Sequence, residues 1–139
     1  MGDIKVVNID MKQQLRERLL PFILTAAIII VDQVSKAIIV DSIGKYRVGV
    51  SLFDGFLRII HTRNLGIAFS LGGSASGGLR AVLFTVLPVV VLAVLTLFYF
   101  KEKTLSRLQR WAVAGIIGGG IGNLIDRVFR PEGVVDFID

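Results

Sequence analysis

The sequence predicts a mainly α-helical, polytopic membrane protein with a small β-rich insertion, and three observations predict it. The 139 residues are 53% hydrophobic and have a mean hydropathy of +0.72, too apolar for an ordinary soluble domain. Twenty residues from Ala81 to Phe100 carry no charge, and at about 1.5 Å of rise per residue they cover the roughly 30 Å hydrocarbon core. The 16 Lys and Arg lie mostly at the ends of apolar runs, where basic side chains meet lipid headgroups. The formal charge of +5 therefore reads as membrane topology, and no nucleic-acid partner is expected.

Taken in order, Met1 to Leu20 is polar and of mixed charge, with no small-residue cleavage site after the first apolar run. It reads as the flank of an uncleaved anchor. The run from Leu19 to Val31 has thirteen uncharged residues, so it spans only if its helix continues through Asp32, Gln33, Ser35 and Lys36 to about Val40. Between Asp41 and Gly78 the stretches Tyr46 to Leu52 and Leu57 to Thr62 alternate apolar and polar residues around Asp54-Gly55, which predicts a hairpin at the membrane surface. Leu71 to Gly78 is rich in glycine and serine and reads as a flexible connector. The second span, 81–100, contains Pro88, which removes a backbone hydrogen bond and predicts a kink. The third, about 111–130, has fifteen uncharged residues and must carry Asn123, Asp126 and Arg127 near its far end. The whole chain is expected to form one membrane domain.

Basic residues set the expected orientation. Lys5, Lys12, Arg16 and Arg18 precede the first span, and Lys101, Lys103, Arg107 and Arg110 fill the short loop between the second and third. The opposite side carries Lys45, Arg47, Arg58, Arg63, Arg80, Arg127 and Arg130 over a longer stretch. The positive-inside tendency puts the amino terminus in the cytoplasm and gathers Asp32, Lys36, Asn123, Asp126, Arg127 and Asp136 at the outer face.

Those residues are the chemical candidates. Asp32 and Lys36, four apart, share one helix face and can pair; the pair is either an interfacial snorkelling pair or functional, since ionisable groups inside a membrane are costly. Asn123, Asp126 and Arg127 form a second polar face, and the two faces suggest one shared cavity. Gly115, Gly118, Gly119, Gly120 and Gly122 contain two small-xxx-small pairs, which let a neighbouring helix come close. Asn64, Gly66, Ala68, Phe69 and Ser70 lie in NLGIAFS, a generic turn or a place where backbone approaches an extended ligand. Asp136 follows Pro131-Glu132-Gly133, a turn signal, and sits among Val134, Val135, Phe137 and Ile138, a partly desolvated setting that suits acid–base work. With no cysteine and one histidine, His61, thiolate nucleophiles and cysteine zinc sites are excluded, and neither a metal nor another cofactor is expected. No Gly-Lys-Ser/Thr phosphate loop and no HExxH occurs. A serine–histidine pair would have to recruit His61, and Ser35 lies on a different helix face from Lys36.

DQVSK at Asp32 to Lys36, NLGIAF at Asn64 to Phe69, GGGIGNLIDR at Gly118 to Arg127 and VVDF at Val134 to Phe137 occur in an order and spacing that resemble bacterial lipoprotein signal peptidase, signal peptidase II. The resemblance implies a multi-pass inner-membrane aspartic endopeptidase with four spans, acting on a diacylglyceryl-modified prolipoprotein just before its lipid-bearing cysteine. It makes Asp136 a catalytic aspartate, and Asp32, Lys36, Asn64, Gly66, Asn123, Asp126 and Arg127 substrate positioners, with membrane lipids as the other partner. The family's second aspartate lies in an Asn-x-Ala-Asp motif opening a fourth transmembrane helix, and no such motif occurs in residues 1–139. The resemblance therefore leads us to expect a chain cut before that helix and inactive by itself, with Asp139 no substitute. A small non-catalytic membrane subunit or inactive paralogue, binding a lipid or a partner helix, is the alternative. The orientation is checked by single-cysteine labelling of this cysteine-free chain: Ser76→Cys is expected to react with membrane-impermeant reagents from outside the cell, and reaction confined to the cytoplasm reverses it.

Overall fold

The computed structural model describes residues 2–64, 77–130 and 132–139; Gly66, Ala68, Phe69, Ser70 and most of the expected connector lie outside them. Helix α1 (Gly2–Leu19) runs into α2 (Phe22–Ser42), followed by strands β1 (Val48–Leu52) and β2 (Leu57–Asn64), helices α3 (Gly77–Ala81), α4 (Leu87–Lys101) and α5 (Arg107–Phe129), and strand β3 (Val134–Ile138). Among the described residues, three helical segments are long and apolar enough to cross a membrane: Met11–Ser42, Val82–Lys101 and Arg107–Phe129.

Proline explains the first break. Pro21 has no N–H to continue α1, so the last bond, from Leu20 N to Arg16 O (2.9 Å), closes that helix and Pro21 O accepts from Leu24 N (3.0 Å) to open the next. α2 then continues through Asp32 and Lys36 to Ser42, as a spanning length requires. Next to Pro88 the winding of the helix changes locally. The carbonyl of Phe84, four residues earlier, loses its helical donor, and Val82–Val86 forms one π-helical turn with Leu87 N–H bonded to Val82 O. α5 begins four residues before the sequence reading, because Ser106 and Gln109 form a capping box: the Ser106 hydroxyl accepts from Gln109 N (3.3 Å) and Ser106 N donates to Gln109 Oε1 (2.8 Å).

The bundle is polar within and apolar without. Thr25, Lys36, His61 and Asp126 are buried, while Ile23, Val31, Val94, Leu97 and Ile116 are exposed on the helices, a distribution that suits lipid as the surrounding solvent. α2 packs on α5 along glycines. Gly115 faces Leu24 and Ile28, Gly118 faces Thr25, Gly122 faces Asp32, Gly120 instead meets Leu92 of α4, and Gly119 has nothing within 4 Å among the described residues. That close approach lets the Thr25 hydroxyl donate to the Ala114 carbonyl across the helices (2.7 Å).

The hairpin forms where alternation predicts it, with a wider turn: Leu52 pairs with Leu57, and Phe53, Asp54 and Gly55 between them have φ of 52°, 53° and 94°. Sequence reading missed the third strand. β3 pairs antiparallel with β2, setting Asp136 across from Thr62 and Val134 across from Asn64, in a sheet of order β1-β2-β3. Gly133, at φ 99°, makes the turn from α5 into β3, a conformation that favours glycine.

A Cβ added at Gly118 would lie 3.0 Å from Thr25 O and 3.1 Å from Ile28 Cβ. Gly118→Ala is therefore expected to destabilise the fold by about 1–3 kcal/mol, whereas Gly119→Ala should stay within about 0.5 kcal/mol. SDS-induced unfolding of the two variants checks the contrast, and equal losses would deny the glycine face its role.

Candidate active site

The site grows from one carboxylate. Asp126, in the last turn of α5, is completely buried, and four donors from three directions converge on it: Lys36 Nζ of α2 (2.9 Å), Gln33 Nε2 of α2 (3.2 Å), the Arg130 guanidinium four residues on and the backbone N–H of Val135 in β3 (3.1 Å). Lys36 is as deeply placed, with 2% of its surface exposed. Its ammonium also meets Asp32 Oδ2 (2.8 Å) and Asn123 Oδ1 (3.1 Å). Gln33 adds bonds to Asp32 (3.0 Å) and to the Gly122 carbonyl (3.0 Å). Two carboxylates and two cations thus form one neutral, fully bonded network, the condition under which buried charge is tolerated.

Over this network lies a cavity of about 280 Å³, lined by Asp32, Lys36, Asn64, Asn123, Arg127 and Asp136 among others. Of the residues singled out in the sequence, the structure brings these six to one cavity. Asp126 is behind its wall and not in it, and Gly66 is outside the described residues. Asp139 sits elsewhere, ion-paired with Arg58 at the sheet edge. Arg127 turns from Asp126 and sets its guanidinium 5.5 Å from the Phe84 ring centre.

The carboxylates of the cavity differ in their commitments. Asp32 is bound to Lys36, whereas Asp136, next to the buried Val134 and Val135, makes none of the ion pairs found among the described residues. It is a carboxylate held by strand pairing and facing a polar cavity, with the Arg127 guanidinium and two amide side chains in the same walls. Such a set can hold a peptide backbone by amide contacts and offer a carboxylate for proton transfer. Outside the cavity lining, Lys45 donates to Glu132 (2.5 Å), which holds the Glu132 carboxyl below the usual carboxylate range, with Arg63 adding to the effect.

Gln33 and Arg130 were missed in the sequence. Arg130 stands four residues after Asp126, the spacing that flagged Asp32 and Lys36. Gln33 carried no such signal, being off the i, i+4 pattern and uncharged.

Residues 24–139 match the family model for signal peptidase (SPase) II. The chain belongs to the signal peptidase II family. Its relatives include the lipoprotein signal peptidases of Treponema pallidum, 39% identical over 89% of this chain and 67% of that protein, and of Treponema denticola, 47% identical over 86% of this chain and 69% of that protein. A bacterial membrane enzyme solved by the in meso method at 1.9 Å resolution superposes with a TM-score of 0.73 at 29% identity, covering 86% of this chain and 73% of that one. As a signal peptidase II family member the chain is a multi-pass membrane peptidase, and the aspartic class of the family agrees with a site built from carboxylates.

Removing one partner of a buried pair leaves the other charge uncompensated. Asp126→Ala is expected to cost about 3–5 kcal/mol of stability, and adding Lys36→Met should recover part of that loss. A double-mutant cycle by SDS unfolding checks this; additive losses would mean that the two residues act independently.

Proposed function

We propose that this chain removes the signal peptide from diacylglyceryl-modified prolipoproteins, and that Asp136 is one carboxylate of an aspartate dyad that activates water. The observation that carries the reading is Asp136 itself: it lines the cavity and enters none of the ion pairs that hold Asp32 and Asp126. The names of the relatives, lipoprotein signal peptidases, support the substrate class.

In this reading the scissile peptide enters the cavity from the membrane surface. Asn64, Asn123, Arg127 and the Asp32–Lys36 pair hold its backbone and lipid-bearing end in register with Asp136. One aspartate, ionised, takes a proton from water while the other, protonated, donates to the scissile carbonyl. Like charges about 3 Å apart cannot both ionise easily, so the two share one proton. The attack is by water and no covalent enzyme intermediate forms. Asp136 supplies one half, and residues 1–139 contain no Asn-x-Ala-Asp motif for the other, so cleavage should require a second carboxylate from outside these residues. The gathering of Arg18, Lys103, Arg107 and Arg110 about one cavity supports a cytoplasmic amino terminus in the bacterial inner membrane, with the Asp136 cavity at the outer face.

Asp136→Asn in the complete gene product is expected to lower cleavage of a lipid-modified lipobox peptide by about 10³-fold or more with membrane insertion intact, because an amide neither accepts water's proton usefully nor shares one. The loss should fall on kcat more than on KM. Cleavage that persists in Asp136→Asn would sink the dyad.

A further inference from the structure

The end of the bundle away from Asp136 holds a second cavity, of about 420 Å³, where α1 meets α2 and α4 gives way to α5. Arg18, Lys103, Arg107 and Arg110 line it against a single acid, Glu17, with Trp111 in the wall. From this arrangement we infer a binding site for the headgroup of an anionic phospholipid.

The charges here are unlike those at the other end. Lys36, Lys45, Arg58, Arg63 and Arg130 are ion-paired there, with Arg47 and Arg127 the exceptions among the described residues, whereas none of the four basic residues of this cavity makes an ion pair among the described residues. Two of them are nevertheless held in place. The Arg110 guanidinium lies 5.7 Å from the ring centre of Tyr99, a fully buried side chain whose hydroxyl donates to Arg18 O (2.6 Å); Arg18 Nη1 in turn donates to Phe100 O (3.4 Å). Arg110 Nη1 is itself buried, with no hydrogen-bond partner among the described residues. A buried donor without an acceptor is costly, and a phosphate oxygen would satisfy it while fitting the guanidinium fork. The cavity adjoins the ends of all three candidate spans, the part of a spanning helix that meets the headgroups, and basic pockets between transmembrane helices take acidic headgroups. That position favours a lipid phosphate over a soluble one.

Trp111, the chain's single tryptophan, reports on the cavity. The full chain in phosphatidylcholine vesicles is titrated with brominated-chain phosphatidylglycerol or, at matched bromine, brominated-chain phosphatidylcholine, and quenching of Trp111 is followed. Phosphatidylglycerol is expected to associate more tightly, with a preference that falls on adding salt and by about fivefold for each charge removed in Arg107→Gln and Arg110→Gln. Arg107 is exposed, so its variant tests the site even if Arg110→Gln fails to fold. Arg47→Gln, in the sheet region, should leave the preference unchanged. Equal quenching by the two lipids, or a preference that survives Arg107→Gln, would overturn the site. Displacement of phosphatidylglycerol by a large excess of soluble glycerol phosphate would overturn the lipid assignment in favour of a free phosphate ligand.

Discussion

Everything at the Asp136 end hangs on a lysine and an aspartate that meet inside the bundle. Lys36 and Asp126 are 2.9 Å apart and both almost wholly removed from solvent, where an unpaired charge would cost several kcal/mol. The cost is offset because neither group keeps an idle atom: Lys36 reaches Asp32, Asn123 and Asp126, and Asp126 receives donors from α2, from Arg130 and from the β3 backbone. One carboxylate thereby fixes the α2–α5 packing and the position of β3. Since Val135 N–H is bonded to Asp126 and Asp136 is the next residue, the buried pair also holds the strand that carries the carboxylate proposed for chemistry.

That pair can exist only because α2 and α5 come close. A Cβ at Gly122 would lie 3.0 Å from Asp32 Cγ, so a larger residue there would push aside the acid that shares Lys36. The glycines of α5 therefore act on the site through distance: they set helix separation, helix separation lets a lysine amine bridge two helices, and that bridge holds the strand. In lipid, where apolar side chains gain nothing by facing one another over facing acyl chains, close packing and such polar contacts are the available means of association.

What could be read from the sequence was what periodicity and spacing encode. The i, i+4 relation of Asp32 and Lys36 and the cluster Asn123, Asp126, Arg127 pointed to a shared cavity; Asp32, Lys36, Asn123 and Arg127 do line it, and Asp126 supports it from behind through Lys36. The strand pairing of β3 with β2 was not legible, because a five-residue strand is defined by a partner seventy residues away. The π-helical turn before Pro88 was equally hidden: proline announces that a bond is lost, but not how the winding around it adjusts. Gln33 escaped because its importance is purely geometric, one amide serving Asp32, Gly122 and Asp126 together.

The sign of the charge also has an architecture. At the Asp136 end of the molecule most cations are answered by carboxylates: Lys36 by Asp32 and Asp126, Lys45 and Arg63 by Glu132, Arg58 by Asp139. The basic excess of the chain, +5 overall, is left to the opposite end, where Arg18, Lys103, Arg107 and Arg110 stand together without ion pairs among the described residues. Neutralising the surroundings of the cavity has a chemical consequence. Of the charged side chains in its wall, Arg127 and Asp136 are the two that make no ion pair among the described residues. In the proposed function, a substrate entering there meets Arg127 and Asp136 beside the Asp32–Lys36 pair, the kind of preorganised polar environment that orients a peptide bond for attack by water.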